Sequence, residues 1–106
     1  MTSEEFLSKI DSLYGKQLSY QVLCSAHKEL ITTIDSLLID VSDSIPEDGT
    51  WVFAVQDLSS LGKGTFLGEY FYTSEFGFNT DEIADEGYGF ITRWVSFETI
   101  NNNPLE

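Results

Sequence analysis

Cys24 and His27 stand three residues apart in a stretch of helical periodicity, a spacing that brings a thiol and an imidazole onto one helix face. Such a pair has the makings of a nucleophile and its base, or of two metal ligands. These are the chain's one cysteine and one histidine, and two ligands do not close a zinc site. Cys24 also neighbours an apolar stripe, so we read it as a packing residue and His27 as a surface or boundary one. Gly62-Lys63-Gly64-Thr65 has the residue types of a phosphate-binding loop but not their order, which needs Gly-Lys directly before Ser or Thr and another glycine five residues earlier. A hairpin turn is the simpler reading. Asp40 to Gly49 and Asp81 to Gly87 alternate acids with a late glycine, yet neither has the glycine at position 6 and glutamate at position 12 of a calcium loop. No carboxylate pair stands out for glycoside or ester chemistry. We therefore expect no catalytic residues, no cofactor and no metal, in a protein that is not an enzyme.

What remains is binding chemistry. Between Thr65 and Phe97 aromatic residues are interleaved with acids, and Arg93 is the one base. Interfaces favour Tyr and Trp anchors rimmed by charge. The residues expected to contact a partner are Asp57, Glu69, Tyr70, Tyr72, Glu75, Asp81, Glu82, Asp85, Glu86 and Trp94.

The elements that must position these residues follow from pattern. Thr2 with Glu5 forms a capping box, Phe6, Leu7, Ile10, Leu13 and Tyr14 share a helical face, and Gly15 is placed to end the helix in a left-handed cap. A second helix is predicted from about Ser19 to Val41, with Val22, Leu23, Ala26, Leu30, Ile31, Ile34, Leu37, Leu38 and Val41 as its apolar stripe. Pro46 and Gly49 close that segment as a loop. Thr50 to Leu58 reads as a strand with Trp51, Phe53 and Val55 on one side and Val52 and Ala54 on the other; apolar on both faces, it should be central. Ser59 to Gly64 connects a hairpin whose glycines supply positive φ, Thr65 to Thr73 is the returning strand, and Phe90 to Phe97 a third. On the returning strand Phe66, Tyr70 and Tyr72 share one face, and Leu67, Glu69 and Phe71 the other. Thr80 is placed to cap a turn or two of helix through Asp85.

The sum is one α+β domain over 1–106: two or three N-terminal helices packed on one face of a small antiparallel sheet of about three strands. Residues 1–49 form its mainly helical half, 50–100 its β-rich acidic half, and 101–106 a frayed tail. With helices on one side only, some of Trp51, Phe53, Phe66, Tyr70, Tyr72 and Trp94 should stay partly exposed.

A formal charge of -13 over 106 residues disfavours nucleic acid and anionic membrane as direct ligands and favours a cationic partner. Hydrophobic content of 42% argues against disorder. The acids are unevenly placed, five against three bases in residues 1–39 and thirteen against two in 40–106. A single cysteine fits a reducing compartment, and neither a secretion signal nor a membrane span is legible, so a cytoplasmic protein is expected.

In size, acidity and helix-then-sheet order the chain resembles the immunity proteins of bacterial contact-dependent growth inhibition and other polymorphic toxin systems. The likeness is one of format over the whole chain, carried by Trp51 to Asp57, Gly64 to Tyr72 and the acidic Glu75 to Glu86. No residue's role is transferred with it. The resemblance implies a cognate toxin domain as partner, held in a one-to-one complex. Charge mimicry makes a nuclease the natural target, since an enzyme that grips a polyanion presents the Lys and Arg that clustered carboxylates complement. Two alternatives come from other classes: a nucleic-acid-mimicking inhibitor of a DNA-binding protein, and a non-enzymatic adaptor subunit that pairs through its sheet edge.

Overall fold

Thr2 Oγ1 accepts the Glu5 N–H and the Glu5 carboxylate accepts the Thr2 N–H, both at 3.2 Å, so the expected capping box starts the first helix, α1 (Ser3–Tyr14). The computed structural model describes residues 2–62, 64–79 and 91–103. After α1 come α2 (Tyr20–Ile34), a 3-10 turn (Asp35–Leu37), β1 (Ile39–Asp40), β2 (Thr50–Asp57), a second 3-10 turn (Ser59–Leu61), β3 (Thr65–Thr73), β4 (Gly77–Asn79), β5 (Ile91–Ser96) and α3 (Phe97–Asn102). The architecture is α+β, with helices followed by an antiparallel sheet in the order β1-β5-β2-β3-β4. β2 is central, as its two apolar faces require.

Four expectations are corrected. The sheet has five strands among the described residues rather than about three; β1 and β4 hold two and three residues and owe their existence to neighbours already in place. α2 stops at Ile34 instead of Val41, because the chain tightens into the 3-10 turn at Asp35 and then extends so that Ile39 and Asp40 pair with Trp94 and Arg93. Gly15 caps α1 in the right-handed region at φ -81°, donating to Asp11 O. Asn101 and Asn102 belong to α3, and Asn101 Oδ1 accepts the Ser3 N–H at 2.7 Å, tying the two ends of the described chain together instead of fraying. In the β2–β3 connection, by contrast, Gly62 and Gly64 take positive φ (72° and 88°) as the turn demands.

Two apolar layers flank the sheet. On the helix side Phe6, Ile10, Ile31, Ile34, Phe53, Val55, Leu67, Val95 and Ile100 form the main core. Phe53 is its hub: Phe6 meets it edge-on at 4.9 Å, and Phe97 stacks on it at 4.3 Å and 23°. On the other side Val52, Ala54, Tyr70, Tyr72, Phe78, Ile91 and Trp94 form a second cluster, against which Val41 packs. Val52 to Val55 are all buried, alternating between the two layers as strand geometry dictates.

α2 reaches the sheet at the outer edge of β3. The carbonyls of Gly64 and Tyr72 face β2, so the even residues of β3 pair inward and the odd ones point to the outer edge, where β4 reaches only Phe71 to Thr73. Leu67 lies beyond that reach, and His27 Nδ1 accepts its N–H at 3.0 Å. His27 is therefore fully buried, not a surface or boundary residue. Phe66 turns toward the same edge, its ring 5.3 Å from His27 and 6.2 Å from Tyr20. Val22, counted in the apolar stripe, faces solvent.

Candidate protein-docking surface

The aromatic residues singled out on the β-rich half divide by face. Tyr70, Tyr72 and Trp94 each keep only 8% of their surface exposed and belong to the second core. They are among the six aromatics of which some should stay partly exposed if helices cover one face only. The chain between β1 and β2 supplies the missing cover: Pro46 is buried, and Ser44 O accepts the Trp94 Nε1–H at 2.9 Å. Phe78 on β4 closes the layer edge-on to both tyrosines, 6.2 Å from Tyr70 and 5.0 Å from Tyr72. All three side chains pack mainly into the fold, each with only a small part of its surface left to solvent.

The acids divide too. Asp57 closes β2 at the end of the sheet away from Thr50, beside the Ser59 to Leu61 turn. It accepts the Ser59 N–H at 3.0 Å, and its hydrogen bonds with Ser59 hold its carboxyl below the usual aspartate range. Glu75 is exposed in the β3–β4 turn at the opposite end. Glu69 is half-buried on the helix face opposite Phe53, one pair along from Phe71. Asp81, Glu82, Asp85 and Glu86, with the helical turn capped by Thr80, lie outside the described residues.

At Glu75's end of the sheet two apolar side chains outside the expected contact residues are exposed. Trp51 is 41% exposed and Phe76 66%. The Trp51 ring contacts Phe71, its cross-strand partner, at 5.1 Å, and Phe97 at 6.2 Å. The turn before β2 and the turn after β3 are tied to each other, since Asp48 Oδ1 accepts the Ser74 N–H at 2.6 Å and Tyr72 O accepts the Gly49 N–H at 2.8 Å. The segments that build this end, residues 45–53, 69–79 and 96–98, carry Glu47, Asp48, Glu69, Glu75 and Glu98 and not one Lys or Arg. The signal was legible in part: Trp51 is the second residue of β2, close behind the Pro46-Glu-Asp-Gly49 turn, where side chains at a strand's start often escape cover.

The opposite end offers a concavity of about 480 Å³ between α2 and the sheet, lined by Cys24, Lys28, Ile31, Asp35, Gly64 and Arg93 among others. Arg93 is already paired with Asp35 at 2.7 Å. A side chain at Gly64 would come within 3.2 Å of Cys24 Sγ, so the thiol packs closely on that turn, and it is hydrogen-bonded to Tyr20. With Nδ1 of His27 occupied by Leu67, that nitrogen does not serve as a base for Cys24. Among the described residues no three His, Cys, Asp or Glu side chains gather to hold a metal ion, and no helix is long and apolar enough to cross a membrane. Comparison of the chain with known protein families, with curated proteins and with solved structures finds no match in any of the three.

Proposed function

We propose that this is an immunity protein, an antitoxin that binds a cognate basic toxin domain in the cytoplasm and neutralises it by covering its active site, without catalysis of its own. The observation that carries this reading is the exposed Trp51, in contact with Phe71, on segments that bear five carboxylates and no base. An apolar centre in a negative field suits a cationic protein better than a nucleic acid, a membrane or a second copy of the same acidic chain. The charge speeds encounter, by about 10 to 1,000-fold at low salt, while the rings slow release. A nuclease is the preferred target, because its substrate cleft must be lined with Lys and Arg.

The reading is tested by recovering the partner from the native cell and assaying it. We expect a one-to-one complex with a basic domain whose activity on nucleic acid is abolished at stoichiometric inhibitor. Binding should survive moderate salt, since the aromatic centre is not screened. A partner that is not basic, or whose activity is untouched when bound, sinks the proposal. Affinity that collapses at moderate salt favours the nucleic-acid mimic instead.

A further inference from the structure

Trp51 is both accessible and braced. Its ring makes tilted contacts with Phe71 and Phe97, and Phe97 in turn stacks on the fully buried Phe53. The indole is thus anchored to the main core through one intermediate ring, and little side-chain freedom is left to lose when a ligand arrives. Glu47, Asp48, Glu75 and Glu98 are exposed on the segments around it.

We propose that Trp51 is the receptor for an arginine side chain presented by the basic partner. The inference rests on the docking function proposed above and specifies what that partner must offer. The face of an indole carries the negative lobe of a quadrupole and attracts a cation, and carboxylates nearby reinforce the attraction. Arginine fits better than lysine for three reasons. Its guanidinium is flat and lies plane-on-plane against the indole; it is weakly hydrated and gives up less on stacking; and its fork of N–H groups can reach a carboxylate while the plane stays on the ring. An ammonium keeps its hydration shell and gains chiefly from the general field.

Peptides of six arginines or six lysines, each spaced by glycine, separate these contributions on the intact protein. The chain's two tryptophans supply two indole N–H signals for NMR, and Trp94, buried and bonded to Ser44, serves as the internal reference. The Trp51 signal should shift saturably with the arginine peptide at a concentration about fivefold lower than with the lysine peptide. Trp51→Leu loses the reporting signal, so both proteins are also titrated by calorimetry; there the variant should bind the arginine peptide no better than the lysine peptide, with the Trp94 signal in place to report an intact fold. Equal affinity of the native protein for both peptides overturns the proposal, as does a Trp51→Leu protein that still prefers arginine. A native partner that binds Trp51→Leu undiminished removes the arginine receptor and leaves the antitoxin reading standing. Failure to find any basic partner removes the antitoxin reading and leaves the peptide result intact.

Discussion

His27 Nδ1 accepts the backbone N–H of Leu67 at 3.0 Å, joining the middle of α2 to the outer edge of β3 inside the protein. An edge strand is a template for wrong pairing, and here a side chain occupies the position that a further strand would fill. The arrangement demands a neutral imidazole, because a protonated Nδ1 is a donor and would face another donor.

Acid should therefore weaken the fold through His27. Burial pushes its pKa below the ordinary 6.5, so the unfolded chain binds the proton more readily than the folded one. The stability this group contributes is complete above about pH 6.5 and is lost as pH falls from there through the lowered folded value. Urea unfolding followed by tryptophan fluorescence should show a falling midpoint from pH 7.5 to 5.5. His27→Leu should abolish that slope and cost about 1–3 kcal/mol at pH 7.5 for the unmet Leu67 N–H. An identical slope in the variant would assign the pH dependence to other groups.

Phe53 and Trp51 lie two residues apart on β2 and should respond in opposite ways. Phe53→Ala empties the hub of the main core and should cost about 3–5 kcal/mol. Trp51→Ala removes a half-exposed ring and should cost about 1 kcal/mol or less, while weakening partner binding by about tenfold or more. Thermal unfolding and a binding titration on the same two proteins check both halves.

Trp94→Phe tests the reassignment of the buried aromatics. It removes the hydrogen bond to Ser44 O and should destabilise the fold by about 1 kcal/mol, loosening the chain between β1 and β2. Affinity for the partner should not change beyond what that loosening explains. A large loss of affinity with native stability would return Trp94 to the interface.

Reversal of Glu47, Glu75 and Glu98 to Lys should slow association at least several-fold and make it nearly insensitive to salt, with dissociation little altered. Stopped-flow mixing at two ionic strengths measures it. The same reversal at Asp81, Glu82, Asp85 and Glu86 is the companion experiment: a slowed encounter places that acidic segment in the interface, and an unchanged one leaves it out.

Much of the architecture could be read from residues alone, where the causes are local. The Thr2–Glu5 box, the glycine turn before β3 and the central place of β2 all follow from side chains acting within a few residues or from one strand's apolar faces. The end of α2 could not, since Leu37, Leu38 and Val41 continue its apolar stripe; pairing of Ile39 and Asp40 with β5 is a tertiary event that the stripe does not record. β4, at three residues, is too short to show a period. The candidate site suffered most from this limit. Alternation put Tyr70 and Tyr72 together on one face of β3, but which face the helices cover, and whether the other meets solvent, depended on tertiary packing and on how a polar-looking stretch around Pro46 folds. An exposed aromatic of the β-rich half is Trp51, on the strand beside those that carry Tyr70, Tyr72 and Trp94.

Because Val52 to Val55 feed both apolar layers in turn, neither side of the sheet owns the middle strand. Heat or denaturant has no seam along which to peel the helices from the far layer, and melting should run as one concerted loss. Anything clamped on Trp51, at the head of that same strand, then holds both layers shut at once.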